Sequence, residues 1–187
     1  RSFRRTSMRH KAALPQLETD RLQLRWLNDD DADLMLAIWN DPAFIRSVGA
    51  RGGRTLDVAL SAMREGDIKL YRDFGYGPYR LSLHDSDEAL GICGLFKREN
   101  LEYPDIGYGL LPAFCGKGYA FEAAEAVVRH AREHMRLPEL CAIVTPENTR
   151  SVHLLEKLGM MAGKSIRMPG DDEDVVLYRS RLDESLT

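Results

Sequence analysis

The stretch Pro112-Ala113-Phe114-Cys115-Gly116-Lys117-Gly118-Tyr119-Ala120 decides how the rest of this chain is read. It follows an apolar run over residues 106–111 and precedes a segment in which Ala120, Ala123, Ala124, Val127 and Ala131 recur at helical spacing. A strand therefore exits into a glycine-bearing turn that opens a helix. Such a turn suits an anion: glycines let backbone N–H groups face a bound group with no Cβ in the way, and the helix N-terminus adds unpaired donors and the positive end of its dipole. The dipole contributes only about 0.3–1 kcal/mol, so holding a pyrophosphate takes several N–H groups together. Two glycines before a helix are equally compatible with a plain helix start. A dinucleotide fingerprint would need three spaced glycines and an acidic residue ~20 positions on, and a P-loop would need Ser or Thr where Gly118 stands.

Upstream of the turn, Tyr79, Leu81 and Leu83 alternate with other residues, and apolar runs follow over 90–96 and 106–111, separated by the polar turns Asp85-Ser86-Asp87 and Glu99-Asn100. This pattern reads as an antiparallel meander. Earlier still, Leu22, Leu24 and Trp26 alternate with Arg21, Gln23 and Arg25, the period of a half-buried first strand. Asp29 or Asp30 is the expected cap of a helix through Leu34, Met35, Ile38 and Trp39, which should stop before Asp41-Pro42. A glycine-rich link at 49–53 follows, then a helical stretch over 56–74 in which Gly66 is an expected interruption. Downstream of the turn, residues 140–144 form a continuous apolar run, as in a strand buried on both faces. Residues 148–158 read as a capped helix stopped by Gly159, and 160–168 with 175–182 as a hairpin around Pro169-Gly170-Asp171-Asp172.

A chain of 187 residues is long enough to bury one core without disulfides, and 44% hydrophobic with 29% charged residues is ordinary globular composition. No apolar run reaches the ~20 residues of a membrane span, so no membrane partner is expected. The net charge of −3 argues against a domain built to neutralise phosphate backbones, and nucleic acid is not an expected partner. Cys93, Cys115 and Cys141 are odd in number and widely spaced, which fits reduced thiols in a cytoplasmic protein better than a disulfide framework. Residues 1–13 carry five basic and no acidic side chains without the apolar stretch of a secretory signal. They read as a disordered arm or an expression remnant, with a transit-like or RNA-touching tail as a weaker alternative, leaving 14–187 as a single domain.

The turn resembles the acetyl-CoA signature of the GNAT superfamily, Gln/Arg-x-x-Gly-x-Gly/Ala, laid on residues 115–120: Gly118 and Ala120 match, while Cys115 stands where Gln or Arg is usual. The wider segment from Asp105-Ile106-Gly107-Tyr108 through Ala123 resembles the ribosomal-protein N-acetyltransferase (Rim-type) branch. So do Leu17-Glu18-Thr19-Asp20-Arg21-Leu22-Gln23-Leu24-Arg25 and Asn148-Thr149-Arg150-Ser151 with Leu155-Glu156-Lys157-Leu158-Gly159-Met160, so that the likeness covers the chain from about residue 17 onward. The resemblance implies a mixed α/β fold with a twisted, mostly antiparallel sheet of about seven strands flanked by helices. Its fourth and fifth strands, 106–111 and 140–144 here, would splay so that pantetheine lies between them, leaving free backbone donors near Leu110 and Leu111. It implies acetyl-CoA as cosubstrate, held by Gly116, Lys117, Gly118, Tyr119 and Ala120, with Asn148 on the pantetheine arm; Asn148 also suits a plain N-cap.

Acetyl transfer needs a neutral amine, yet ordinary amine pKa values are about 8 for an α-amino group and ~10.4 for lysine. Resemblance to the Rim-type branch points to Asp105 as a base acting through water, in place of the usual longer glutamate; a solvent-facing strand-end carboxylate is the equal alternative. The tyrosine that many GNAT enzymes use to protonate the leaving thiolate is replaced by Leu155, which leaves Ser151, one turn earlier, as substitute acid or as an ordinary first-turn residue. Leu110 is the expected backbone donor to the thioester oxygen. Tyr108 either lines the acceptor pocket or packs on the sheet. His130 and His134 at i, i+4 lack a third ligand, so no metal is expected. The reading is an N-acetyltransferase acting on a primary amine, a peptide N-terminus or a small molecule, by direct transfer. Homodimer formation stays open. A non-catalytic acyl-CoA sensor, and more weakly an RNA-associated factor using the basic arm, are the competing readings.

Overall fold

The computed structural model describes residues 16–48 and 55–183, so the basic arm at 1–13 and the glycine link at 49–53 lie outside the described residues. The alternating runs pair as their periods require. Strand β1 (Leu17–Glu18) lies antiparallel to β2 (Leu22–Trp26), and β2 to β3 (Pro78–Leu83), β3 to β4 (Ala89–Phe96) and β4 to β5 (Asp105–Leu110) continue the meander. The remaining strands are β6 (Glu139–Val144), β7 (Met161–Arg167) and β8 (Asp174–Arg181), and the sheet order is β1-β2-β3-β4-β5-β6-β8-β7. Counting the two-residue β1 makes eight strands rather than about seven, and the two strands expected to splay become β5 and β6.

Among the described residues, four helices lie between β2 and β3: α1 (Ala32–Trp39), α2 (Pro42–Val48), α3 (Leu56–Ala62) and α4 (Ile68–Phe74). The cap is Asn28 rather than Asp29 or Asp30; its side chain accepts from the Asp30 N–H and starts a short 3-10 turn that leads into α1. Asp31 is only 4% exposed; it takes both Arg25 Nη groups at 2.7 and 2.8 Å, with Arg80 Nε at 3.3 Å, and so ties the start of α1 to β2 and β3. Pro42 does end α1, but as a residue that needs no N–H partner it also starts α2, an element not expected from the sequence. Gly66 does not break the stretch at 56–74. It lies in a π turn (Met63–Asp67) that joins α3 to α4.

Helix α5 (Tyr119–Glu133) connects β5 to β6, and α6 (Thr149–Lys157) connects β6 to β7. The small-residue face of α5, with Ala123, Ala124 and Ala131 fully buried, packs on Leu24, Leu81, Leu95 and Leu140 of one sheet face. The opposite face holds a second cluster from Ile92, Leu34, Met35, Ile38, Met63 and Tyr71.

Among the described residues, strands β5 and β6 are the only parallel neighbours in this sheet, and they meet at a single bridge, Asp105 with Cys141, whereas β4 and β5 share six register pairs. The Cys141 N–H donates to the Pro104 carbonyl at 2.9 Å, after which the two strands diverge. The expected splay is present, with its closed end at Asp105 and its open end toward the turn before α5.

Candidate active site

The turn is shaped by two left-handed glycines. After a 3-10 turn (Pro112–Phe114), Gly116 has φ +77° and Gly118, the N-cap of α5, has φ +82°. Glu122 N–H donates to the Gly118 carbonyl at 3.1 Å to begin the helical ladder, so the N–H groups of Tyr119, Ala120 and Phe121 have no intrahelical acceptor. Lys117 is exposed at the tip, and Arg150 of α6 comes within 3.8 Å of where a Cβ on Gly116 would sit. These are the features of an anion cradle bordered by two cations.

A brace from the turn between β1 and β2 holds that cradle. Arg21 donates to the Glu122 carboxylate at 2.6 Å and to the Lys117 carbonyl at 2.9 Å, and its guanidinium lies 4.4 Å from the Tyr119 ring centroid. Thr19 Oγ1 and the Arg21 N–H donate to the other Glu122 oxygen at 2.6 and 2.9 Å. Burial works to raise the Glu122 carboxyl, but these hydrogen bonds outweigh it and hold it below its usual range. The sequence contained both ends of this brace in segments of family likeness, but their separation of 101 residues gave no local signal that they meet.

Backbone donors at the gap follow from the register of β5. The Leu111 N–H donates to the Leu90 carbonyl at 2.9 Å, which assigns residues 105, 107, 109 and 111 to the ladder with β4 and turns 106, 108 and 110 toward β6. Leu110 therefore faces the gap. Leu111 does not offer the free donor expected of it, because β4 uses its N–H and Phe114 N–H takes its carbonyl at 3.0 Å.

On the α6 side, Asn148 caps the helix through Oδ1, which accepts the Ser151 N–H at 3.3 Å. Ser151 is half-buried, not a solvent-facing first-turn residue, and its Oγ accepts a hydrogen bond from the Tyr108 hydroxyl at 2.6 Å. Burial pushes the Tyr108 phenol up, and the bond to Ser151 opposes the shift. Leu155 is 2% exposed and belongs to the core. Tyr108 is the functional candidate that sequence reasoning undervalued; its hydroxyl and that of Ser151 stood in separate motifs with nothing to connect them.

Asp105 lies on the other face of β5. It is 1% exposed, which corrects the alternative of a solvent-facing carboxylate. Arg98 Nε reaches Oδ2 at 3.0 Å, while Oδ1 is buried without a hydrogen-bond partner. Burial raises the carboxyl and the Arg98 charge works against it, leaving a net upward shift. Gly107 and Gly109 share this face. A Cβ on Gly109 would meet Ile38 at 3.0 Å and Phe44 at 3.1 Å, and one on Gly107 would meet Phe96 at 3.0 Å. Ile38, Phe44 and Phe96 thus pack directly onto this bare backbone and leave little room for even a Cβ at either glycine. Asp105 and Ser151 are not brought into contact; they flank the gap from opposite faces.

His130, His134 and His153 sit apart from this cleft. His130 and His134 stack at 4.9 Å at the C-terminal end of α5, and His153 is exposed near Glu156. Among the described residues no group of three or more His, Cys, Asp or Glu is arranged to hold a metal, and no helix is long and apolar enough to cross a membrane.

The profile of the acetyltransferase (GNAT) domain matches residues 21–161. The uncharacterized N-acetyltransferase p20 of Bacillus licheniformis is 30% identical over 148 residues, spanning 76% of this chain and 80% of p20. Among solved structures, an acetyltransferase from Agrobacterium tumefaciens superposes with a TM-score of 0.76 at 28% identity, over 90% of this chain and 95% of its own. Spermidine N-acetyltransferase from Vibrio cholerae, in complex with CoA and spermine, superposes with a TM-score of 0.74 at 16% identity, over 88% and 97%, a likeness of fold.

Proposed function

The chain belongs to the GNAT acetyltransferase family and is an acyltransferase that uses acetyl-CoA, and on that premise we propose that it transfers acetyl directly to a primary amine as a member of the ribosomal-protein N-acetyltransferase branch. The observation that carries this reading is the single-bridge splay of β5 and β6 with the glycine cradle at its open end. Acetyl-CoA supplies the acetyl group as a thioester. The N–H groups across Gly116, Lys117, Gly118, Tyr119 and Ala120 hold its pyrophosphate, Lys117 and Arg150 offset the charge, and Asn148 contacts the pantetheine arm. The Leu110 N–H, turned into the gap, stabilises the charge that develops on the thioester oxygen.

Asp105 is the base. A buried carboxyl with a raised pKa is better matched to an amine proton than an ordinary aspartate, and its unpartnered Oδ1 is the atom available to accept. Five residues of strand, about 16 Å at ~3.3 Å each, separate it from Leu110, so it takes the proton through a chain of waters. Ser151 gives a proton to the leaving sulfur. The acceptor is a primary amine carried by a peptide N-terminus or a small molecule.

Asp105→Asn tests the assignment. Turnover should fall by at least ~10²-fold with CoA affinity retained, and unchanged turnover would remove Asp105 from the mechanism. The second reading, an acyl-CoA sensor without turnover, is favoured by the Arg98 pairing that occupies Asp105 and by Leu155 in place of a tyrosine. It predicts CoA binding with no acceptor-dependent thiol.

A further inference from the structure

We propose that Tyr108 and Ser151 form a two-hydroxyl relay to the departing CoA sulfur, with Ser151 touching the sulfur and Tyr108 positioning and recharging it. The inference rests on the acetyltransferase reading above. Its basis is a contact that spans the gap: Tyr108 stands on β5 and Ser151 on α6, the strand and the helix on either side of the pantetheine path, and their oxygens are 2.6 Å apart. The direction of the bond matters. Either hydroxyl can donate; when Tyr108 donates and Ser151 accepts, the serine's one O–H stays available for another acceptor. The Asn148 cap fixes the backbone of Ser151, and the Tyr108 ring packs against the main core, so neither hydroxyl is on a mobile segment.

A serine alone is a poor acid, because losing its proton leaves an alkoxide. In the relay, the amine lone pair forms the C–N bond, the C–S bond breaks, and sulfur keeps the bonding pair. Ser151 passes its proton to that pair while the Tyr108 phenol proton moves to Ser151 Oγ. The charge ends on a phenolate, whose ordinary pKa of ~10 burial raises here, against ~8.5 for a thiol, instead of on a far more basic alkoxide. Solvent then carries the proton taken up at Asp105 back to Tyr108, so the net transfer is from nitrogen to sulfur. Two titratable or charged neighbours act on Tyr108: Cys93, its cross-strand partner on β4, whose thiol burial pushes up to about 12, and Arg150 of α6. Burial keeps the phenol protonated at neutral pH, as a relay requires.

The test compares Tyr108→Phe, Ser151→Ala and the double variant with the wild type. Tyr108→Phe keeps the packed ring and removes one oxygen. The expected result is a kcat about 10- to 100-fold lower with the KM for acetyl-CoA within about twofold, and a double variant no slower than Ser151→Ala, since Tyr108 acts through Ser151. The alkaline fall in kcat that accompanies Tyr108 ionisation should vanish in Tyr108→Phe. Independently of turnover, calorimetry should find that the wild type prefers CoA over desulfo-CoA and that Ser151→Ala and Tyr108→Phe lose much of that preference. Wild-type kcat in Tyr108→Phe, or multiplicative losses in the double variant, would overturn the relay. If the wild type itself releases no thiol, the acetyltransferase reading fails instead, and the desulfo-CoA comparison still decides whether Ser151 meets the sulfur.

Discussion

Gly118→Ala isolates the contribution of the turn. Gly118 sits at φ +82° as the N-cap of α5, and an alanine there is in the left-handed region at a cost of about 1–2 kcal/mol. The new Cβ would also lie 3.3 Å from Arg21 Nη2, so the brace has to yield by a few tenths of an ångström. A folded chain relieves this strain by letting the turn leave its cradle shape, and bound CoA must then restore it. At 1.4 kcal/mol per factor of ten, the loss in CoA affinity should be about 5- to 30-fold. Gly159→Ala is the control: Gly159 has the same φ of +82° with nothing within 4 Å of a Cβ, so it should cost similar stability and leave CoA affinity intact. Calorimetric titration of CoA into both variants, with melting curves alongside, measures the difference. Equal affinities for the two variants would refute the assignment of this turn to the pyrophosphate.

Glu122→Gln should loosen the brace from Thr19 and Arg21 and raise the KM for acetyl-CoA about fivefold with kcat little changed, a modest effect because Arg21 is part-exposed; steady-state kinetics check it. Asp31→Ala leaves Arg25 and Arg80 without their buried partner and should cost about 3–5 kcal/mol, seen as a lower denaturation midpoint. The raised carboxyl of Asp105 makes a signed prediction for pH. Its folded-state pKa exceeds the unfolded ~3.9, so the folded state holds the proton more tightly and Asp105's contribution to stability falls as pH rises through the folded value. Asp105→Asn should flatten that slope in denaturant titrations run from pH 4 to 7, and should abolish the acid limb over which wild-type kcat/KM rises.

The sheet was legible wherever one residue's neighbours two positions away shared its polarity, as in β2 and β3, and α5 because its alanines recur on one face. The glycine turn was legible because backbone geometry alone defines it. What the sequence hid depends on distant partners. Pro42 marked the end of one helix by local rules that serve equally for the start of another. Asp105 was ambiguous because its burial is decided by the closed end of the β5–β6 gap and by Arg98, seven residues away across a turn. Leu111 looked equivalent to Leu110 until register assigned its N–H to Leu90. The Tyr108–Ser151 contact joins motifs 43 residues apart, and only the packing of α6 beside β5 brings them together.

The account turns on acetyl transfer to an amine, and the most direct measurement is free-thiol release from acetyl-CoA across a panel of N-terminal peptides and small-molecule amines, run beside CoA binding. Acceptor-dependent release, abolished by Asp105→Asn while CoA still binds, is the predicted result. CoA binding without release from any acceptor would contradict turnover and favour the sensor, and no CoA binding at all would contradict the site itself.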